Sequence, residues 1–145
     1  MSDAVHYRKL EKMYLSAPCN GAYDPKISIG EGKAEVSFSV KPEMFHAGGS
    51  IHGSVYFKLL DDAAFFSAAS LVADRFVLTS SFNIYLLRPV TRGIVRAVGS
   101  VVSAGKRQLI AEAVATNEAG KTIARGSGCF MKSDIAYGEE MGYRD

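Results

Sequence analysis

The chain reads as an α+β domain in which one buried helix packs on a face of an antiparallel sheet. Three features predict this. Residues 54–71 contain no Gly or Pro, are rich in Ala, Leu and Phe, and confine their charges to Lys58, Asp61 and Asp62. A helix apolar on nearly every side is a buried helix. Downstream, residues 76–87, 94–104, 108–116 and 122–131 are β-branched or alternating segments, the pattern of strands. The gaps Gly105-Lys106-Arg107 and Asn117-Glu118-Ala119-Gly120 are short enough for hairpin turns, so these strands read as an antiparallel meander. One buried helix ahead of a run of strands is the α+β arrangement.

The remaining elements follow in order. Over residues 3–17, Val5, Leu10, Met13, Tyr14 and Ala17 recur at three- and four-residue steps, largely separated by charged residues. This predicts a short amphipathic helix that ends near Pro18, with a turn at Asn20-Gly21. Residues 33–40 alternate polar with Ala34, Val36, Phe38 and Val40, a half-buried strand. Between Met44 and Gly53 the composition shifts to small residues, and glycine clusters let backbone bend and approach a ligand. The domain is expected over residues 1–132. Residues 133–145 form a polar, glycine-dotted tail that reads as loosely ordered.

Composition bounds the function. The chain has 145 residues, 48% hydrophobic and 22% charged, enough for one domain with its own core. No apolar run reaches the roughly 18 residues of a membrane span, and MSDAVHYRKLEKMY lacks the apolar stretch of a signal peptide. A net charge of +2 with scattered basic residues gives no support for nucleic-acid binding. Cys19 and Cys129 stand far apart with no CxxC, which reads as two free thiols in a reducing, cytoplasmic setting.

Asp61 is the most informative residue. Its same-face helical neighbours are Phe57, Lys58, Ala64 and Phe65, and a carboxylate among apolar groups is costly unless paired or employed. Two ordinary pairings are open, Lys58 with Asp61 or Lys58 with Asp62. The alternative is a chemical role. Upstream, Gly48, Gly49 and Gly53 surround His52 at a helix start, where free N–H groups form a partial positive centre suited to an oxyanion. A carboxylate near such donors can activate water against a carbonyl. Alone, His52 reads as a structural histidine. No GxSxG, P-loop, GxGxxG or HExxH motif occurs. His6, His46 and His52 match no zinc spacing, so no metal or cofactor is expected.

These residues carry a resemblance. His46-x-x-Gly49-x-x-His52-Gly53-Ser54, followed by Leu59-x-Asp61-x-Ala63, resembles the Asn-x-x-Gly-x-x-His-Gly-Gly and Leu-x-Asp-x-Ala signature of PaaI-type hotdog thioesterases. The run from Asn83 through Arg88-Pro89 to Gly93 is similar to the Phe-Leu-Arg-Pro-x-x-x-Gly turn of the same group. Gly105-Lys106-Arg107 and Ala124-Arg125-Gly126-x-Gly128-x-Phe130 match its last strands in style. The likeness spans residues 27 to 131 and implies the hotdog fold, a long helix wrapped by a curved antiparallel sheet.

The implied activity is hydrolysis of an acyl-CoA, at a site on the interface of a homodimer or homotetramer. Asp61 would be general base or nucleophile, and the Gly53 N–H the oxyanion donor. Thr79, contributed from the neighbouring subunit, would assist the water, and His52 would shape the loop. Lys106 and Arg107 would meet CoA phosphates, or else form a solvated turn. On the residues alone, Phe57, Phe65, Phe66, Phe82 and Tyr85 read either as the lining of an apolar or aryl pocket, with Phe57 and Phe82 as its substrate-binding members, or as core. Two positions depart from the pattern. His46 replaces the family Asn and retains a donor, and Ser54 replaces the second glycine, where it could cap the helix. A non-catalytic acyl-CoA-binding module, or a hotdog dehydratase or acyl-carrier-protein enzyme, are the competing readings.

Overall fold

The computed structural model describes residues 3–145. The elements run α1 (Asp3–Ser16), β1 (Lys26–Gly30), β2 (Lys33–Ser39), α2 (Gly53–Ala69), β3 (Arg75–Leu86), β4 (Ile94–Ala104), β5 (Gln108–Thr116) and β6 (Thr122–Ala136). They form the hotdog fold, a six-stranded antiparallel sheet in the order β1-β2-β4-β5-β6-β3 folded around α2. Among the described residues, no helix is long and apolar enough to cross a membrane.

Alternation sets the inner face. Ala34, Val36 and Phe38 of β2, Val95 and Ala97 of β4, and Leu109, Ala111, Ala113 and Ala115 of β5 are buried against α2, as a period of two requires. Many of these are small, and α2 answers with Ala63, Ala64, Ala68 and Ala69, all fully buried. Small side chains on both surfaces let the helix sit close to the sheet. At Gly99 of β4 the contact is tightest, because a Cβ there would collide with the Ala63 carbonyl. Gly126 and Gly128 of β6 serve a related purpose, since Cβ atoms there would strike the Phe82 ring.

Two readings are corrected and one strand is added. The four later strands are not one consecutive meander: β4, β5 and β6 are, but β3 pairs with β6 and β4 with β2. The connection after β3 carries the chain away. Tyr56 Oη donates to the Arg88 carbonyl, and the Ile51 N–H to the Val90 carbonyl, so this segment is tied over the start of α2 before β4 begins. The hairpin partner β1 went unread because its five residues are too short to show a period. Residues 133–145 are also not loose. Strand β6 continues to Ala136, Tyr137 stacks on Tyr143 at 4.3 Å, and Tyr143 Oη donates to His6 Nδ1.

Candidate active site

Two clusters lie along one stripe of α2. Gly53, Phe57 and Asp61 are spaced four residues apart, so they share a face. Strand β3 runs past that face in the opposite sense. Leu86 lies beside Gly53, the Phe82 ring meets Phe57 edge-on at 5.6 Å, and Thr79 Oγ1 donates to Asp61 Oδ1 at 2.9 Å.

At the Asp61 end, the structure decides between the two pairings open to Lys58. Its ammonium bonds Asp62 Oδ2 at 2.7 Å and also donates to Asn20 Oδ1. The Tyr14 hydroxyl donates to the same Asp62 oxygen at 2.7 Å, while Asn20 Nδ2 donates to the Tyr14 carbonyl. This network clamps the end of α1 onto α2. Burial still holds Asp62 above the ordinary carboxylate range, against the pull of Lys58.

Asp61 is left with a hydroxyl in place of a cation. Burial pushes its pKa up to about 6; the Thr79 hydrogen bond opposes the rise, the neighbouring Asp62 charge adds to it, and Lys58 offsets a little. A carboxylate of that pKa is ionised near neutrality yet basic enough to take a proton. It opens into a cleft of about 270 Å³ walled by Met13, Ala17, Phe65, Phe66, Phe76 and Leu78. The α1 wall was not legible as part of a site, because no local pattern joins Met13 to Asp61.

The Gly53 end is polar and open. Gly53 is the first residue of α2, so its N–H has no acceptor within the helix and lies at the positive end of the helix dipole. His52 is the N-cap: its Nδ1 accepts the Ser54 N–H at 3.0 Å. The capping role expected of Ser54 therefore belongs to His52, whose extended backbone (φ −65°, ψ 150°) aims the ring back at the helix. His46 turns into its own loop, with Nδ1 accepting the Gly48 N–H at 2.9 Å and Nε2 3.1 Å from Ser50 Oγ. His46, Gly53, Tyr56 and Leu86 to Pro89 line a cleft of about 300 Å³. The cleft also takes in Arg88, a cation whose place in the Arg88-Pro89 turn carries no local sign of a role.

Other expected site residues are placed as follows. Thr79, expected from the neighbouring subunit, reaches Asp61 within one chain. Phe57 and Phe82 meet edge to face between the two ends and do not line the Asp61 cleft. Lys106 and Arg107 are exposed at the β4–β5 turn, and no described side-chain hydrogen bond or ion pair joins them to either cluster. Both cysteines are free thiols, and Cys19 borders the Asp61 cleft.

Known proteins place this architecture. Residues 48–124 match the family model described as the thioesterase superfamily; the chain belongs to that superfamily, whose chemistry is thioester hydrolysis. A conserved protein of Pseudomonas aeruginosa superimposes with a TM-score of 0.77 at 30% identity, covering 83% of this chain and 97% of that one. The Escherichia coli PaaI protein from the phenylacetic acid degradation operon gives 0.84 at 25% identity, covering 92% and 97%. A protein of Saccharolobus solfataricus, named only provisionally as an esterase, is 24% identical over 71% of this chain and 69% of its own length.

Proposed function

We propose that the protein hydrolyses acyl-CoA thioesters at a site completed by two copies of the chain, with Asp61 as its base or nucleophile. The observation that carries this is the state of Asp61: a partly buried carboxylate in an apolar cleft, held by the Thr79 hydroxyl while the nearby lysine is engaged by Asp62.

One chain does not suffice for the chemistry. Asp61 lies eight residues beyond Gly53, about 12 Å along the helix at 1.5 Å per residue. A thioester carbonyl needs both an attacking group and an oxyanion donor within about 3 Å. Strand β3 supplies the remedy. It ends the sheet and exposes Leu78, Tyr85 and Leu86, an edge that association covers. A second copy added antiparallel along β3, on a two-fold axis near Phe82, sets the Gly53 end of that copy against Asp61. Symmetry then makes two such sites.

In each, the Asp61 carboxylate takes a proton from water as the water oxygen attacks the thioester carbon. The carbonyl oxygen becomes an oxyanion held by the Gly53 N–H of the other copy. Collapse breaks the C–S bond, and the proton on Asp61 goes to the departing sulfur, giving free acid and CoA thiol. As a nucleophile, Asp61 would instead attack the thioester carbon, expel the CoA thiolate and form a mixed anhydride that water then opens. Where water attacks the aspartyl carbonyl, single turnover in ¹⁸O-water leaves label in the protein, which the general-base route never does. The first test is thiol release from a panel of acyl-CoAs, with acyl-carrier-protein thioesters and enoyl-CoAs alongside. Binding without thiol release would leave a sensing module, and hydration of an enoyl-CoA would make the protein a dehydratase relative.

A further inference from the structure

The Asp61 cleft does not end at its apolar wall. Met13, Ala17 and Phe76 are shared with a second cleft of about 490 Å³, bounded by Ile135, Met141 and a polar rim of Glu139, Glu140 and Arg144. The seam between the two is small and pliable: Ala17 presents a single methyl group, and Met13 an unbranched thioether that adapts to irregular gaps. The far wall is firmly placed. Gly142 takes φ +88°, and a Cβ there would strike Ser16 and the Met13 backbone, so the C-terminal segment lies directly on the end of α1. His6 pins it a second time, donating from Nε2 to the Ala69 carbonyl at 2.9 Å while its Nδ1 accepts the Tyr143 hydroxyl at 2.7 Å.

We propose that the two clefts form one acyl subsite for an extended, unbranched aliphatic chain, which runs from Asp61 across the Met13–Ala17–Phe76 seam to the C-terminal segment. The proposal rests on the thioesterase reading of Asp61. A compact aryl group would stop in the first cleft, whose 270 Å³ falls just under the roughly 300–1,000 Å³ of ligand pockets; joined to the second, it falls inside that range. Past Asp61 and Thr79 the path crosses Phe76, Ile135 and Met141, side chains that suit methylene groups. The polar rim marks where the end of the chain meets water.

The test compares butanoyl- to hexadecanoyl-CoA, with phenylacetyl-CoA beside them, in the wild type and in Ala17→Phe. Wild-type kcat/KM should climb about fourfold per methylene, the factor equivalent to ~0.8 kcal/mol per buried CH₂, until the chain spans both clefts. Ala17→Phe closes the seam and should stop that climb early, so that the ratio of long- to short-chain kcat/KM collapses. Should Ala17→Phe fail to fold, Ile135→Asp puts a charge on the far wall at a position already 47% exposed, with the same loss expected for long chains alone. Free fatty acids of matching lengths, titrated by calorimetry, probe the clefts without hydrolysis. Hydrolysis that ignores chain length, or keeps its length profile in both variants, overturns the subsite and leaves the thioesterase reading intact. No hydrolysis, but fatty-acid affinity that grows with length and falls in Ala17→Phe, overturns that reading and keeps the subsite. If neither is seen, both are wrong.

Discussion

The two ends of the Gly53–Asp61 stripe are built on opposite plans. At Gly53 the helix opens to solvent, and its polar groups are backbone N–H donors organised by the His52 cap. At Asp61 a carboxylate is packed among aromatic rings and covered by α1. The first arrangement stabilises negative charge that develops on a substrate; the second raises the basicity of negative charge already on the protein. Neither can do the other's work. A helix N-terminus surrounded by apolar rings would bind an anion with no room to reach it, and an exposed Asp61 would revert toward the ordinary carboxylate pKa of 3.8. Separating them on one helix lets each environment be tuned alone, with symmetry to reunite them.

The sharpest way to break this comparison is Asp61→Asn. The amide keeps an acceptor for Thr79 but cannot take a proton, so kcat should fall by ~10²–10⁴ with circular dichroism unchanged. In the wild type, kcat/KM should rise with pH through a midpoint near 6, where the carboxylate ionises. Stability should move the other way. The folded pKa lies above the unfolded value, so ionised Asp61 costs the native state nothing below pH 3.8, progressively more up to about 6, and a constant amount beyond. The Asn variant escapes that cost, so its Tm should gain on the wild type across this window. An Asn variant holding over half the wild-type rate would remove Asp61 from the mechanism.

The opposite end is tested by Gly53→Pro. Proline suits the first helical position, and the extended backbone of His52 is what a residue before proline requires. The change deletes one N–H and leaves the helix start in place. A loss of ~10²–10³ in kcat is expected for a missing oxyanion donor. Mixing the two inactive variants then sharpens the comparison. In a mixed dimer, one site combines an intact Asp61 with an intact Gly53, so activity should return on subunit exchange. No recovery from exchanged subunits would place both groups within one chain's site and contradict the 12 Å separation as a constraint on the chemistry.

How far the sequence carries this picture depends on the range of the interaction involved. Helix α2 and strands β4 and β5 were legible because a period of 3.6 or two is local. The place of β3 was not, because it depends on Tyr56 reaching Arg88 across 32 residues. The tail reads as loose because Tyr137 and Tyr143 take partners distant in sequence: His6 meets both rings, and Tyr137 also donates to the Val72 carbonyl. At the site, Asp61 was marked by motif and by apolar neighbours. Its freedom from Lys58 was not visible, since Asp62 wins that lysine with the help of Asn20 and Tyr14, 38 and 48 residues away.

A smaller effect is expected at Thr79, which ties Asp61 to β3. Thr79→Val removes a hydroxyl that holds the Asp61 pKa down, so the pH midpoint of kcat/KM should move to higher pH. Loss of one hydrogen bond to a charged group corresponds to about tenfold in rate at neutral pH, and Thr79→Ser should restore most of it. A Val variant that lowers activity with no change in midpoint would mean that the hydroxyl acts on the substrate or the water and not through Asp61.

The smallest effect is expected from His46→Asn, where the chain departs from its family. His46 Nδ1 accepts the N–H of Gly48, two residues on, which is the bond an asparagine side-chain oxygen makes to its own backbone in a turn. The glycine leaves room for it, since a Cβ at Gly48 would press on the imidazole at 2.8 Å. His and Asn are thus two solutions to one requirement, an acceptor that folds the loop back ahead of the helix. His46→Asn should keep kcat/KM within about tenfold, under the 1.4 kcal/mol that such a factor represents. His46→Ala provides no acceptor and should lose more, with a folding stability lower by the ~0.5–1.5 kcal/mol of one ordinary hydrogen bond. Equal losses in both variants would show that the imidazole itself meets the substrate, and an Ala variant indistinguishable from the wild type would show that the loop holds its shape without residue 46.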